Sequence, residues 1–265
     1  MTESVLDRRL QELATRIVQA RFVLVFTGAG ISTGSGIPDF RGPQGLWKTW
    51  QPVYYDEFLA SPAARKRHWD FKLESWRQFR DARPNPAHRA LVQLEHLGRL
   101  HCLVTQNIDG LHQQAGSSED LVIELHGTNR VIECVDCGRR YDPDPIFAAY
   151  ARTREVPLCT ACGGFLKPAT VMFGQPMPEE AVRRALDAAA RSDLVMAVGS
   201  SLEVYPAASV PLTAKRHGAF YAILNLGPTA QDHACDLRLE GDVVALLPRL
   251  AERVAGHLER RTSLR

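Results

Sequence analysis

No apolar run in this 265-residue sequence approaches the roughly 18 residues that a membrane-crossing helix requires, so no membrane is expected as a partner. The first 20 residues lack the apolar stretch of a secretory signal. They also carry Glu3, Asp7 and Glu12, acids that a mitochondrial transit peptide avoids, and the expected location is cytoplasmic. Internal repeats and low-complexity segments are missing. Charge of either sign is in small excess only: the formal net charge is +2 and the pI near 8.3. That balance excludes a dedicated nucleic-acid domain, whose pI usually exceeds about 9. Lysine is scarce, with five (positions 48, 66, 72, 167 and 215) among 32 basic residues, a bias attributed to coding rather than mechanism. Cysteine is limited to six, and in a cytosolic chain disulfides are disfavoured, so metal binding is the better reading for clustered thiols. What is present is ordinary for a globular protein, 45% hydrophobic and 23% charged residues. The length fits one large domain or one with a smaller companion, able to bury roughly three-quarters of its extended surface without cross-links. Nothing specifies an oligomer, and a monomer is expected.

Leu6, Leu10, Leu13 and Ile17 recur at helical spacing, so residues 4–20 are read as an amphipathic helix with Ser4 as N-cap. FVLVF (22–26) is too short for a helix and is stopped by Gly28, which makes it a buried strand. LHCLV (100–104), LVIEL (121–125), DLVMAV (193–198) and AFYAIL (219–224) repeat that grammar, with helical patterns at 86–97, 178–191 and 206–217. The predicted fold class is α/β, a doubly wound (Rossmann-like) parallel sheet with a smaller zinc-ribbon and helical lobe. Residues 42–84, with four aromatic helical fragments, and 127–169, with two cysteine pairs, interrupt the alternation. The domain reading is therefore 1–41, 85–126 and 170–265 for the larger domain, and 42–84 with 127–169 for the lobe. Each strand runs into a polar, glycine-containing segment: TGAGIS, TQNIDGLH, HGT, GSSLEVYPA and NLGPT. Ligands of open α/β sheets bind outside the carboxyl ends of the strands, so these five segments are expected to converge on one site.

Cys134-x-x-Cys137 and Cys159-x-x-Cys162 are two knuckles, each followed by a glycine, and together they match a structural, fully cysteine-ligated Zn²⁺ site. The competing readings are two disulfides or a redox CxxC pair. Cys102 and Cys235 stand alone and read as small hydrophobic residues. Gly28-Ala29-Gly30-Ile31-Ser32 is suited to a phosphate-binding turn. Thr33 replaces the third glycine of a dehydrogenase fingerprint and no acid lies near position 50, so an ordinary NAD dehydrogenase is poorly supported. Asp39, Phe40 and Arg41 follow and suit ribose, nicotinamide and phosphate contacts. Gln106, Asn107 and Asp109 supply groups for ribose hydroxyls or a carboxamide. His126, at a strand end, is suited to general-base chemistry, though a lone histidine is more often a surface or core residue.

Taken together, GAGISTGSGIPDFRG (28–42), TQNIDGLH (105–112), ELHG (124–127), both CxxC pairs, VMFGQPMP (171–178), VGSSLEVYPA (198–207) and LNLGPT (224–229) resemble the sirtuin family, in family order. KRHWDFKLESWRQF followed by PNPAHRAL is most similar to its class II branch. The resemblance implies a deacylase that uses NAD to remove acyl groups from protein lysines, releasing nicotinamide, O-acyl-ADP-ribose and free lysine. His126 and Asn107 would be catalytic, with His126 the base that activates a ribose hydroxyl. The NAD pocket would comprise Gly28, Ala29, Gly30, Ser32, Asp39, Phe40, Arg41, Gln106, Asn107, Ile108, Asp109 and His126, with Gly199, Ser200, Ser201, Asn225, Leu226, Gly227 and Cys235. Val171, Met172, Phe173 and Gly174, with Glu203, Val204 and Tyr205, would be two strands between which an acyl-lysine peptide adds a third.

One departure bears on specificity. The Tyr-x-x-Arg pair by which class III sirtuins receive acidic acyl groups is replaced by Lys72 and Ser75. Lys72 is expected on a solvated helix face, the alternative being an ammonium turned inward toward a carboxylate, and uncharged acyl groups are expected to be preferred. Rival functions are a mono-ADP-ribosyltransferase or NAD glycohydrolase using the same pocket and, more remotely, a non-enzymatic zinc-ribbon binding module.

Overall fold

The computed structural model describes residues 2–39 and 51–262. Helix α1 (Glu3–Gln19) buries Leu10, Leu13 and Ile17, and its cap is Thr2 rather than Ser4, with no side-chain cap bond. Strand β1 (Val23–Thr27) leads into two short 3₁₀ turns, Ala29–Ile31 and Thr33–Ser35. Helices α2 (Tyr55–Ala60), α3 (Pro62–Asp81) and α4 (Pro86–His96) follow. Four aromatic fragments were expected from residue 42 to 84, but the described part holds two helices, and α3 alone runs 20 residues. The chain continues through β2 (Cys102–Thr105), α5 (Leu111–Ala115), β3 (Val122–Glu124), β4 (Gly127–Cys134), β5 (Arg140–Tyr141), α6 (Pro143–Thr153) and β6 (Leu166–Thr170). It ends with α7 (Glu179–Arg191), β7 (Leu194–Val198), α8 (Ser209–Arg216), β8 (Phe220–Asn225), β9 (Leu237–Glu240) and α9 (Val243–Thr262).

Six of these strands form one sheet in the order β3-β2-β1-β7-β8-β9, and every pairing in it is parallel. Strand β1 shows why both faces must be covered, since all five of its residues are buried. Val23 and Val25 point into a core with α1, α4 and α9, while Leu24 and Phe26 point into a second core with α7 and α8. This alternation follows from the two-residue period of a strand. It explains why a continuous apolar run is read as a doubly covered, parallel strand. The chain leaves β1 toward β2 on one side and returns through β7 on the other. That reversal opens a crevice above the carboxyl ends of β1 and β7.

Strands β5, β4 and β6 make a separate antiparallel sheet, on which α3 and α6 pack. Its core is Trp69, Ile132, Phe147, Tyr150 and Leu166 together with Cys134 and Cys159. Trp69 is buried without leaving its indole N–H unpaired, because it donates to the Leu166 carbonyl at 3.1 Å. Trp76 stacks on Phe147 with ring centroids 4.5 Å apart, which extends the same contact outward along α3.

Candidate active site and metal centre

At the crevice the loops after β1 and β7 interlock through their backbones. The Gly28 N–H donates to the Val198 carbonyl at 3.1 Å and the Gly30 N–H to that of Gly199 at 2.8 Å. A methyl at position 30 would lie 2.8 Å from both the Cα and the carbonyl oxygen of Gly199, and Gly199 itself has φ of +60°. Two glycines are thus required for loop-to-loop packing alone, before any ligand is considered.

The segment after β2 ties into the same knot. Gln106 Nε2 donates to Ser200 Oγ at 2.8 Å, and Asn107 Nδ2 donates to the Gly28 carbonyl at 3.1 Å and to Ser32 Oγ at 3.2 Å. Asp109 accepts from Ser32 Oγ at 2.7 Å and from the Leu111 N–H at 2.9 Å. Burial nevertheless pushes its carboxyl above the usual range, the donors offsetting only part of the desolvation. A buried relay supports Asn107 from below. His112 Nε2 lies 2.9 Å from Thr27 Oγ1, which donates to Thr105 Oγ1 at 2.8 Å, and that oxygen accepts the Asn107 N–H at 3.0 Å. His112 lies in the TQNIDGLH segment, but no role was assigned to it from sequence.

These loops open on a cavity of about 1180 Å³, a size that suits a dinucleotide better than a small metabolite. Gly28, Ala29, Gly30, Asp39, Gln106, Asn107, Ile108 and His126 line it from β1, β2 and β3. Gly199, Ser200, Ser201, Asn225, Leu226 and Gly227 line it from β7 and β8. Three residues expected in the NAD pocket do not line this cavity. Ser32 is buried beneath it, Asp109 faces a smaller hollow of about 390 Å³, and Cys235 is half-buried with its thiol toward the Asp232 carbonyl at 3.3 Å. Phe40 and Arg41 lie outside the described residues.

His126 Nδ1 is 3.1 Å from the Gln106 carbonyl. A carbonyl only accepts, so Nδ1 carries the proton of the neutral ring and Nε2 is its basic nitrogen. The backbone of His126 is held as well, its carbonyl accepting the Val171 N–H at 2.9 Å. Val171 to Gly174 and Glu203 to Tyr205 line the mouth of the cavity, but neither segment is a strand. The expectation of two strands is corrected here. The two segments do not pair with each other, and without a chain laid between them neither has a ladder to join. Tyr205 and Phe173 are exposed there, 60% and 38% respectively.

The expectation for Lys72 also fails. It is only 9% exposed, lines the cavity, and donates from Nζ to Asn129 Oδ1 at 3.2 Å and Thr170 Oγ1 at 3.3 Å. The reason lies in α3, which lies against the β4–β6 sheet on the side that carries Trp69, and residue 72 follows 69 by about one turn. Burial, and Lys167 nearby, lower its pKa to about 7.

In the smaller lobe the four Sγ atoms of Cys134, Cys137, Cys159 and Cys162 all lie within 4.8 Å of one another. The Cys134–Cys162 and Cys137–Cys159 separations are both 3.6 Å. Four sulfurs tetrahedrally placed at 2.3 Å from a zinc ion are about 3.8 Å apart, so the residues fit the ion. The same distances exclude S–S bonds, which are about 2.05 Å long. Gly138 and Gly163, at φ of +68° and +75°, let each knuckle return an N–H to the first cysteine's carbonyl, at 3.1 and 2.9 Å. All four ligand positions are filled by thiolates, so this centre holds the lobe together and leaves no coordination site for a substrate.

A doubly wound sheet whose glycine loops lock at the switch point, joined to a lobe organised by four thiolates, defines a class of two-lobed dinucleotide-binding proteins. The chain belongs to the Sir2 (sirtuin) family, whose family model matches residues 28–206. It is 45% identical over 238 residues to an NAD-dependent protein deacetylase of Rhodopseudomonas palustris, covering 90% of this chain and 94% of that one. An NAD-dependent protein deacylase of Pyrobaculum aerophilum is 44% identical over 260 residues, covering 95% and 98%. Among solved structures, a Sir2 variant with deacetylated peptide and 3′-O-acetyl-ADP-ribose superposes with a TM-score of 0.85 at 38% identity, covering 92% and 97%. A Sir2–peptide–NAD complex gives 0.83 at 38% identity, covering 94% and 99%.

Proposed function

We propose that this protein is an NAD-dependent protein-lysine deacylase, with NAD consumed as co-substrate. The observation that carries the reading is one cavity that joins His126, the glycine loops at the switch point and the two segments 171–174 and 203–205. NAD supplies an electrophilic ribose carbon, which the acyl oxygen of the substrate attacks as nicotinamide leaves. His126 Nε2 then takes a proton from a ribose hydroxyl, which attacks the linked acyl carbon. With one water consumed, the products are nicotinamide, O-acyl-ADP-ribose and free lysine, in keeping with the acetyl-ADP-ribose held by a relative.

The placement of individual residues supports the following roles. Asn107, pinned by Gly28 and Ser32, and Gln106, tied to Ser200, hold the nicotinamide–ribose region. Gly28, Ala29 and Gly30 take the phosphates, with Asp39 lining the same cavity, and Phe40 and Arg41, outside the described residues, keep the nicotinamide and phosphate contacts that the sequence suggests. Ser201, Asn225, Leu226 and Gly227 surround the adenosine, and Ser32 and Asp109 position Asn107 from beneath. Cys235, which does not line the cavity, is left out of this reading. An acylated peptide would cross the mouth between 171–174 and 203–205 and complete a three-stranded ladder. The insertions read at 42–84 and 127–169 supply the second wall of the cleft through the described α3 and β6, and the α3 sequence favours the class II branch. No helix among the described residues is long and apolar enough to cross a membrane. A cytoplasmic, monomeric enzyme acting on proteins, without a nucleic-acid partner, is the accompanying reading.

The test is mass spectrometry of an acyl-lysine peptide incubated with NAD and the protein. Deacylated peptide and O-acyl-ADP-ribose in equal amounts are expected. Free ADP-ribose formed equally well without peptide would instead establish an NAD glycohydrolase, and ADP-ribosylated peptide a transferase.

A further inference from the structure

Lys72 is a buried ammonium with no carboxylate partner among the described residues, set in the wall of a substrate cavity. Its two hydrogen-bond acceptors, Asn129 and Thr170, are neutral, and no ion pair to it occurs among the described residues. Residues 40–50, outside the described part, contain no aspartate or glutamate. Its titratable neighbours on the lobe side bring no negative charge: Lys167 of β6 is turned onto the carbonyls of Pro168 and Thr170, and His68, one turn back on α3, is kept neutral by burial. An ammonium has three protons to donate, and two of those on Lys72 are accounted for. A buried cation lacking a counter-ion is unfavourable in the empty protein and is strongly relieved by an entering anion.

Its position says which part of a substrate would meet it. Thr170, one of its acceptors, pairs across β4–β6 with Gly127, the residue after His126, and the next residue, Val171, donates to the His126 carbonyl. Asn129, its other acceptor, donates its N–H to the carbonyl of Ile108 in the nicotinamide-side loop, at 2.8 Å. The ammonium is therefore bracketed by the neighbours of the base. The lysine stem of a substrate enters from the mouth and NAD occupies the glycine loops. The wall left for the portion of the acyl group beyond its carbonyl is α3, where Phe71, Lys72 and Ser75 line the cavity.

We propose that Lys72 is a specificity-determining residue for the deacylase reaction, receiving the terminal carboxylate of a short dicarboxylic acyl group such as succinyl on the substrate lysine. This rests on the deacylase reading above and reverses the expectation that uncharged acyl groups are preferred. Lys72 takes no part in the bond-making steps. It places the acyl carbonyl by anchoring the far end of the chain, and the product would be O-acyl-ADP-ribose with that carboxylate still attached.

The experiment uses the full-length, zinc-loaded protein with NAD and one peptide sequence carrying succinyl-lysine or butyryl-lysine, acyl chains of equal carbon number that differ in the charge. The wild-type kcat/KM for succinyl is expected to exceed that for butyryl by tenfold or more. In Lys72→Met, a swap of similar volume without charge, the succinyl-to-butyryl ratio is expected to fall at least tenfold. The ratio is read within one protein preparation, so partial loss of folded variant does not alter it. Should the variant fail to fold, the wild-type ratio alone decides. A wild-type ratio at or below one, or a ratio unchanged by the substitution, overturns the proposal. Removal of neither acyl group overturns the underlying deacylase reading instead, so the two failures are distinguishable.

Discussion

His126 combines a ring anchored through Nδ1 with a backbone anchored through Val171, so the orientation of its basic nitrogen does not depend on a bound ligand. Replacing it with alanine removes a proton acceptor together with the ring's bond to Gln106 and leaves the backbone bond from Val171 in place. His126→Ala is expected to lower kcat/KM for acyl removal by about 10²–10⁴-fold. Zinc content and thermal midpoint should match wild type, and near-normal turnover would remove His126 from its role. Gly30 offers a different residue-scale test, because its neighbour is backbone and cannot rotate away. A Cβ there meets Gly199 at 2.8 Å, and forcing the two loops apart costs about 1–3 kcal/mol. Gly30→Ala should therefore weaken NAD binding at least tenfold by calorimetry and lower the midpoint as well. Tight NAD binding in that variant would show that the interlock is not what shapes the pocket.

Helices α4 and α5 are joined by a pair of buried histidines whose rings lie 5.0 Å apart, His88 and His112. His88 Nδ1 accepts the Asn85 N–H at 3.4 Å, and Asn85 in turn caps α4 and donates to the Ile31 carbonyl at 2.7 Å. Desolvation lowers the His88 pKa to about 4, and burial holds His112 well below its ordinary value. Both rings stay neutral in the folded state, while in the unfolded chain they take up protons near pH 6.5. The unfolded state thus binds more protons between about pH 4 and 6.5, so stability is complete above that window and is lost as pH falls through it. For His88 alone the difference amounts to about 3 kcal/mol. Urea denaturation at pH 7 and pH 5 should show the loss, and His88→Gln should reduce it. Equal stability at the two pH values would contradict the buried neutral pair.

The element scale is also where reading from sequence succeeded and failed for visible reasons. The strands expected at 22–26, 193–198 and 219–224 lie within one residue of β1, β7 and β8, because strands buried on both faces write themselves as uninterrupted apolar runs. Strand β9 (LRLE) carries no such signature, since Arg238 and Glu240 break the apolar run at an edge with one neighbour. Helix α9 is equally hard to see in the sequence. Pro248 interrupts its pattern, although Leu246, Leu247, Leu250 and Val254 are buried against α1 and α4. The helical pattern from 206 to 217 starts three residues early, because the first of these residues form the turn that carries the mouth of the cavity.

At the scale of the whole molecule the two lobes have different sources of cohesion. The large one has two apolar cores on either side of its sheet, whereas the small one has a single core in which two zinc-site cysteines take part. Structural zinc contributes on the order of 10–16 kcal/mol of apparent binding energy, realised as folding of the chain around it. Chelation, or Cys134→Ala, should unfold the small lobe in a separate transition while the parallel sheet keeps its circular dichroism signal. Acyl removal should be lost together with the small lobe, since α3 and β6 wall the cavity. A metal-free protein that melted in one transition at the wild-type temperature would refute this division.

The order of the glycine-rich strand ends, the knuckle spacing and His126 after a strand are local patterns, and the sequence alone determined the fold class, the zinc ligands and the general position of the site. What only the tertiary structure decided are relations between residues far apart in the chain. Ser32 and Asp109 lie beneath the cavity rather than lining it, Cys235 does not line it, and the segments 171–174 and 203–205 are not strands. Lys72 is the plainest case. On α3 it is an ordinary cation, and periodicity carries no information about which face is covered by β6, 98 residues later. Burial is set by what packs on a residue, and that partner is chosen by the fold of the whole chain.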